Sequence, residues 1–584
     1  MTPEEQLRPS QRRWIVHPII PDEISQELTD FSPLMRQLLY NRGFEDAQSA
    51  AAFIEGTVNF PTDPLLLKDM PQAIERMHQA ISNKEKIVVY GDYDADGVTS
   101  TALLVEFFNR LGVRAQAYIP DRYEEGYGLN LDAIAKLAEA GANLIITVDC
   151  GIRSIEEVAL AKNLGIDVIL TDHHLPGEVL PPADAVIDPR QPGDLYPEKN
   201  LAGVGLAYKL AAAYLSQYPQ EDFSAEDWLD LVAIGTVVDM APLKGENRLL
   251  VRKGLERLRH TPRQGVYSLA QAAGIDLTKC DSGNLGFGIG PRLNAAGRLD
   301  SAMAAFQLLT AQDLFSAGAL AQQLDSQNSE RQDMTAAIRE KAAEMVLKED
   351  PDAVLIFAAD PEFSEGVVGL AASRLTEAYY RPAIVGHIGE ETTVASCRSI
   401  PEFHITRALD ACADLLVRHG GHAVAAGFTV RNENREALVA RLRQMAEDQL
   451  RGVELTPVLD IDREIKLEHL SQRNVSGILN DLYQLEPTGH GNPEPVFASY
   501  NVAVRYARAV GRDSSHLKLT LQAGSNTFDA IAFRQGHWLE DMPEQIDLAY
   551  RFEMNAFNGR SNLQLNVKDI KASSRDAKAK MDTH

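Results

Sequence analysis

The clearest periodicity in the chain lies between residues 85 and 190, where short unbroken apolar runs alternate with longer amphipathic stretches that stop at glycine. Runs at 87–91, 144–148, 168–170 and 185–187 lack polar alternation, as strands buried on both faces do, and 114–119 adds a further strand between the first two. The segments 99–110, 131–140 and 155–164 space their apolar residues as helices do. They are followed by Gly112, Gly141 and Gly165, which permit the left-handed turn that closes a helix. Ser154, with Glu157 three residues on, predicts a capping box at the last of these helices. Strand and helix in alternation predict a parallel sheet covered on both faces.

The flanks read differently. Residues 1–80 are predicted to be helical with little chemistry, and Pro61 and Pro64 punctuate a loop; 228–238 reads as a buried helix. From 302 to 346 the chain is rich in Ala, Gln, Glu and Leu without proline, which predicts one long helix beside a shorter one. A second strand–helix module opens with a strand at 353–358, and alternating segments at 502–510, 517–522 and 563–567 predict a small β-barrel. The expected division is an N-terminal helical region at 1–80, an α/β domain at 81–300, a helical linker at 301–350, a smaller α/β domain at 351–454, the barrel at 455–571 and a disordered tail at 572–584. A length of 584 residues exceeds what one hydrophobic core accommodates, and 45% hydrophobic with 24% charged residues is ordinary globular composition.

Charge and cysteine content narrow the function classes. A net charge of −26 by itself disfavours a polyanionic partner. The balance is uneven, however: residues 501–584 carry 12 Lys/Arg against 10 Asp/Glu, and residues 244–263 carry seven basic and two acidic side chains, so a local basic groove on an acidic body stays open. Four cysteines, at 150, 280, 397 and 412, contain no Cys-x-x-Cys pair and supply neither a zinc frame nor a disulfide scaffold. No run approaches the roughly 20 apolar residues of a membrane span. The N-terminal residues lack the charged-then-apolar order of a secretory signal, so the expected compartment is the cytoplasm.

Candidate chemistry sits at the ends of the apolar runs. The run at 87–91 is followed by Asp92, Asp94 and Asp96, that at 144–148 by Asp149, and that at 168–170 by Asp172, His173 and His174, while the helix at 228–238 leads to Asp239. Sites in parallel sheets collect beyond the carboxyl ends of the strands. An extended chain would point Asp94 and Asp96 the same way. A lone Asp there is more often a helix cap and a lone His a hydrogen-bonded residue; three strands delivering such groups to one edge weigh against that reading. Cys150 reads as a small buried residue, and Gly286, Gly288 and Gly290 resemble a dinucleotide loop only superficially, because no buried strand leads into them. The donor set is oxygen-rich, with one or two imidazoles and no thiolate, which disfavours structural zinc and suits Mn²⁺, with Mg²⁺ as the alternative. Four crowded carboxylates repel unless cations sit among them; two divalent ions about 4 Å apart satisfy that, and such a pair supports phosphoester hydrolysis.

The motifs carry a family resemblance. Asp-Tyr-Asp-Ala-Asp-Gly at 92–97, Val-Asp-Cys-Gly at 148–151, Asp-His-His at 172–174 and Gly-Thr-Val-Val-Asp at 235–239 resemble the four ordered motifs of the DHH phosphoesterases. Gly-Gly-His-Ala-Val-Ala-Ala-Gly at 420–427 resembles the glycine-rich motif of the associated DHHA1 domain. With Ile-Gly-Pro-Arg-Leu-Asn-Ala-Ala-Gly-Arg at 289–298 and Ser-Cys-Arg-Ser at 396–399, the similarity runs from about residue 30 to residue 570 and is to the family's single-strand-specific 5′ exonucleases. The resemblance implies a parallel-sheet DHH domain joined by a helical linker to a smaller α/β DHHA1 domain, followed by an OB-fold barrel. It makes Asp94, Asp96, Asp149, His173 and Asp239 the ligands of a two-metal site, with Asp92 and Asp172 standing behind them. His174 either orients or protonates the scissile phosphate, or supports the ligands. The same resemblance has Ser396 and Arg398 hold a 5′-terminal phosphate, helped by Arg122 and Arg298, with Arg292, Gly421 and His422 as further substrate contacts. On composition alone, Gly420 and Gly421 read as a tight turn.

In the barrel, Arg505, Tyr506, Arg508, Arg512 and Lys518 mix charge with an aromatic as single-stranded nucleic acid requires, against the plainer reading of a solvated barrel face. The expected protein is a cytoplasmic, monomeric 5′-to-3′ exonuclease on single-stranded DNA that releases 5′-mononucleotides in recombination and repair. A single-strand-binding protein and a RecQ-type helicase are the implied partners. The alternatives are a phosphodiesterase of short oligoribonucleotides or cyclic dinucleotides, an inorganic pyrophosphatase and a non-hydrolysing DNA-binding scaffold; the barrel, the length and the complete ligand set weigh against them in turn.

Overall fold

A short strand, β1 (Arg13–Val16), precedes the helices Asp22–Glu27, Pro33–Asn41, Ala47–Glu55 and Met70–Asn83 in a computed structural model that describes residues 12–56, 62–122, 124–511, 514–557 and 560–573. The strand departs from the helical reading of this region. Three of its four residues are exposed, so it has no apolar alternation to betray it, and its pairing partner lies more than 440 residues away. The chain divides into two compact units. Residues within 48–331 and 484–493 form one, and residues within 1–47, 332–483 and 494–584 form the other.

The first unit is built on β2 (Ile87–Gly91), β3 (Gln116–Tyr118), β4 (Leu144–Val148), β5 (Asp167–Thr171) and β6 (Ala185–Ile187), in the order β3-β2-β4-β5-β6 with every neighbouring pair parallel. All of β2 and β4 is buried, as their unbroken apolar sequences require. Register aligns the carboxyl ends: Gly91 lies opposite Val148, Val148 opposite Thr171, and Thr171 opposite Ile187. The residue after each of these four is an aspartate.

Two local expectations are corrected. The helix after β2 spans Ala95–Arg110 and is capped by Asp94, whose side chain accepts from the Asp96 and Gly97 amides at 2.9 and 3.1 Å, so Asp94 and Asp96 do not sit on an extended segment. Asp and Gly are poor helix formers, which hides this first turn from propensity. The fold needs Gly97 there, because a Cβ would fall 2.5 Å from the Asp92 carbonyl oxygen. Ser154 does open the helix Ile155–Asn163, but its backbone is not extended (φ −87°, ψ 66°) and its hydroxyl caps nothing; the capping box does not form.

Three cations of the basic run at 244–263 are engaged within the protein. Arg248, buried on the helix Gly245–Leu258, donates to the carbonyls of Phe53, Gln484, Leu485 and Pro487, while Arg257 pairs with Asp227 and Arg263 with Glu106 and Asp230. The linker contains helices Met303–Leu309 and Leu314–Leu347.

In the second unit, β7 (Ile356–Asp360), β8 (Ala383–Ile388), β9 (Thr392–Arg398), β10 (Leu416–His422) and β11 (Ala425–Arg431) form a mixed sheet in the order β10-β11-β9-β8-β7, only β7 and β8 being parallel. Gly420 and Gly421 lie on β10 rather than in its turn, which falls at Ala423 and Val424. After β12 (Val458–Ile461), which pairs with β1, the barrel comprises β13 (Arg463–Glu464), β14 (Phe497–Val510), β15 (His516–Ala523), β16 (Asn526–Ala532), β17 (Gln545–Phe557) and β18 (Arg560–Ala572). Its order is β13-β14-β15-β16-β18-β17, and pairing of β14 with β17 closes it. Leu517, Leu519 and Leu521 fill the interior while Lys518 and Thr520 alternate outward. No helix among the described residues is long and apolar enough to cross a membrane.

Candidate metal centre

The level ends of the parallel sheet bring the predicted ligands together. Ligand atoms of Asp96, His173 and Asp239 lie within 4.8 Å of one another, as do those of Asp92, Asp94 and Asp149, and those of Asp149, His173 and His174. Asp239 arrives at the carboxyl end of the helix Leu229–Val238. Asp96 is fixed from behind by the amides of Gly203 and Val204, at 2.7 and 2.8 Å, where the helix Gly203–Gln217 begins. Only glycine fits at 203, since a Cβ would come within 2.7 Å of the Asp149 Cβ.

Asp172 does a different job. Its carboxylate accepts from the amides of Ile152 at 2.9 Å, His173 at 2.7 Å and His174 at 3.1 Å, and lies 2.7 Å from His174 Nδ1. It therefore shapes the turn and aims the His174 ring, leaving Nε2 of that ring to face outward chemistry. Tyr127, absent from the sequence reading, places its hydroxyl 3.2 Å from the same Nδ1.

Electrostatics set this cluster apart from an ordinary polar network. Burial, then the neighbouring carboxylates, push Asp96 up to about 7 and Asp239 up to about 9, and raise Asp92 and Asp149 well above the usual carboxylate range. Burial, then His174, lowers His173 to about 4, so its imidazole is neutral. His173 Nε2 and Asp149 Oδ1 face each other at 3.0 Å, yet neither has a hydrogen-bond partner, and Asp92 Oδ1 is orphaned as well. With the imidazole neutral, this contact is not an ion pair. Leaving such groups buried and unpaired is expensive, and a cation is the species that relieves both the orphaned atoms and the mutual repulsion. The residues present fit Mn²⁺ or Mg²⁺.

Asp188 was also missed by the sequence reading. It follows β6 at the same level edge, is fully buried with Oδ2 unpartnered, and is pushed up to about 7 by burial. Its only signal was a carboxylate directly after a three-residue apolar run.

The proposed substrate residues divide between the units. In the first, the Arg122 guanidinium lies 5.0 Å from the Tyr93 ring centroid, and Arg298 is lowered to about 10 by burial and then by Arg122 and Arg331. Arg331, a third cation of this group, was not anticipated. Arg292 is occupied by Asp325 at 2.8 Å and by the Gly288 carbonyl. Gly286 and Gly288 lie in the single π-turn Leu285–Ile289 that runs into the helix Gly290–Leu299, not in a nucleotide loop.

In the second unit, Ser396 and Arg398 occupy the same face of β9, opposite Gly427 and Ala425 of β11. Gly369 faces them: a Cβ there would lie 3.3 Å from Ser396 Oγ and 3.5 Å from Arg398 Nη2. Gly421, at φ 145°, has no room for a side chain, and His422 is exposed, its carbonyl accepting from the Thr406 hydroxyl. On the barrel's outer face Tyr506 lies opposite Thr520 and Arg508 opposite Lys518, while Arg505 bonds Gln522. Arg512 and the tail beyond 573 lie outside the described residues.

Comparison with known proteins adds to this geometry. Residues 86–236 match the family model for the DHH family, N-terminal domain, residues 351–448 the DHHA1 domain, and residues 461–569 the RecJ OB domain. Over 570 residues the chain is 40% identical to the single-stranded-DNA-specific exonuclease RecJ of Bacillus subtilis (strain 168), covering 97% of this chain and 71% of that protein. The crystal structure of RecJ from Thermus thermophilus in complex with Mn²⁺ superposes with a TM-score of 0.81 at 31% identity, over 96% of this chain and 80% of that one. Its complex with Mg²⁺ gives 0.75 at 29% identity, over 96% and 79%.

Proposed function

The chain belongs to the RecJ family of single-stranded-DNA-specific exonucleases, and from that premise we infer that its carboxylate–imidazole cluster hydrolyses phosphodiester bonds of single-stranded DNA. The enzyme is a metal-dependent 5′-to-3′ exonuclease that releases 5′-mononucleotides and acts in recombination and repair. The observation that carries this reading is the pair of unpartnered atoms, His173 Nε2 and Asp149 Oδ1, facing each other at 3.0 Å inside a crowd of buried carboxylates.

Asp94, Asp96, Asp149, His173 and Asp239 would hold the two divalent ions, Mn²⁺ or Mg²⁺. When bound, such a pair supplies an activated water and neutralises charge on the scissile phosphate. The rest falls to the chain. Asp92 supports the site from β2, Asp172 locks the His174 ring, and His174 Nε2 donates a hydrogen bond to the phosphate or a proton to the leaving oxygen. Ser396 and Arg398 hold the 5′-terminal phosphate, aided by Arg122, Arg298 and the backbone at Gly421 with His422, because a guanidinium fork grips phosphate oxygens in bidentate fashion. Arg505, Tyr506, Arg508, Arg512 and Lys518 contact the strand on the barrel. Family membership supports a cytoplasmic monomer that works beside a single-strand-binding protein and a RecQ-type helicase.

The test uses purified protein with Mn²⁺ or Mg²⁺ on a 5′-phosphorylated single strand labelled at its 3′ end, beside a duplex, a two-nucleotide RNA and an Asp149→Ala control. Progressive shortening of the single strand, absent from the duplex and the variant, is the expected result. Binding without cleavage would leave a scaffold, and cleavage of the two-nucleotide RNA alone would reassign the substrate.

A further inference from the structure

The second unit contains a cavity of about 820 Å³ where the mixed sheet's helix Glu365–Tyr379 and the loop after β9 meet the barrel. Five Lys/Arg and three Asp/Glu line it, a local positive excess on a chain whose net charge is −26. Arg374 reaches it from the helix, where it makes an exposed ion pair with Glu377 at 2.8 Å, the kind of pair that is readily exchanged. On the barrel side stand Phe533, Arg534, Trp538 and Lys568.

Three features of the barrel side point to a ligand. Phe533 is 51% exposed, although its ring is held edge-on to His516 at 5.3 Å. Arg534 sits in the left-handed region (φ 58°), fixed by its amide donating to His516 Nδ1, while its guanidinium makes no hydrogen bond or ion pair among the described residues. Backbone strain that presents an unpaired cation beside an exposed aromatic is what a ligand clamp requires. Lys568 is held below its usual range by burial and by Arg551, a penalty that an incoming anion would relieve.

We propose that this cavity is a second strand-binding subsite: bases stack on Phe533 and Trp538, and phosphates pair with Arg374, Arg534 and Lys568. The proposal rests on the nuclease reading for the identity of the strand. It shares no residue with the metal centre, with the Ser396–Arg398 site or with the outer barrel face. Flat aromatic rings interleaved with guanidinium groups favour a nucleic acid over an acidic peptide, which would leave the ring faces unused.

The experiment is binding of a 20-nucleotide oligo(dT) to the full chain in EDTA, so that no cleavage intervenes. Of the three tryptophans, Trp228 is fully buried and Trp14 is held by Asp569, so Trp14→Phe isolates the signal of Trp538, and in that background oligo(dT) should quench the fluorescence and Trp538→Phe should abolish the quench. Arg534→Glu should weaken oligo(dT) binding about tenfold and lower the slope of log affinity against log salt by about 1, with Mn²⁺ binding and melting temperature unchanged. Retained quench and unchanged affinity in both variants would overturn the subsite. So would equal loss of Mn²⁺ binding, which marks general damage, or an acidic peptide that binds the cavity while oligo(dT) does not. A wild-type chain that binds oligo(dT) in this way but cleaves no strand would instead sink the nuclease reading and leave the subsite standing.

Discussion

The two five-stranded sheets gather their chemistry by opposite routes. In the parallel sheet the ends are level, so Asp92, Asp149, Asp172 and Asp188 emerge side by side at one edge, all buried, with Asp149 and Asp188 raised by burial and then by neighbouring carboxylates. In the mixed sheet Ser396 and Arg398 lie two residues apart within one strand, and their surroundings come from across the register, from Gly427, Ala425 and the facing Gly369. The first arrangement concentrates charge to the point where cations must complete it; the second places separate donors that each contribute on their own. Disruptions of the first should be near-total, and disruptions of the second graded.

The sharpest way to break that contrast is Asp149→Asn. Removing a carboxylate proposed to hold the metal pair should lower kcat by about 10³-fold or more, several kcal/mol of lost transition-state stabilisation. Because Asp149 is raised by burial and by Asp96, Asp94, Asp92 and Asp239, the metal-free variant should melt higher than the metal-free parent. Calorimetry in EDTA reads this directly. A variant that lost activity and also melted lower would show that the cluster is a structural network and not a charged cage awaiting cations.

Acidity offers a second test. Asp96 is pushed up to about 7 and Asp239 up to about 9, both above the unfolded carboxylate value. Over the interval between the unfolded value and those values, the folded, metal-free protein keeps protons that the unfolded chain has released. Its stability is therefore highest below the interval and falls as pH rises through it. Metal binding needs the ionised forms and so runs the other way, with Mn²⁺ affinity rising about tenfold or more between pH 6 and pH 7 and protons released on binding. Titration calorimetry in two buffers of different ionisation heat measures that release; affinity independent of pH with no proton released would contradict the crowding.

What sequence alone could supply follows the same contrast. Unbroken apolar runs located β2, β4, β5 and β6, and a parallel sheet converts strand ends into spatial neighbours, so Asp92, Asp149 and the Asp172–His174 segment were legible without coordinates. Asp188 escaped although the run at 185–187 was found, because no imidazole or second acid stands beside it and a lone strand-end Asp reads as a cap. Arg331 lies within a 34-residue polar helix, where one cation among many has no distinguishing period. The Asp94 cap was hidden because a capping carboxylate and a metal ligand have the same sequence signature, and Asp94 caps its helix while lying within 4.8 Å of ligand atoms of Asp92 and Asp149. Register in the mixed sheet is set by cross-strand packing, which is why Gly369 and Ala425 could not be placed beside Arg398 in advance.

A graded effect is expected at Arg398. Arg398→Ala should reduce kcat/KM on 5′-phosphorylated strands about 30-fold, the worth of a charge-assisted phosphate contact of about 2 kcal/mol, and leave 5′-hydroxyl strands nearly unchanged. Competition between the two substrates in one tube isolates the preference. Equal loss on both would move Arg398 from end recognition to support of the sheet, through its bond to the Cys397 carbonyl.

The smallest effect belongs to the outer barrel face, where nothing is buried or strained to make one residue indispensable. Arg508 lies opposite Lys518, and like charges across a strand pair mildly repel in the free protein, so Arg508→Ala should be neutral or slightly stabilising to the fold. Against a long single strand the same substitution removes one phosphate contact. It should weaken binding a few-fold and reduce the salt slope by about 1 without changing kcat on bound strand. The salt slope is the deciding measurement, because a few-fold change in affinity alone could come from altered packing. An unchanged slope would mean the strand does not follow this face, and its path over the barrel would then have to run through the cavity beside Phe533 and Trp538.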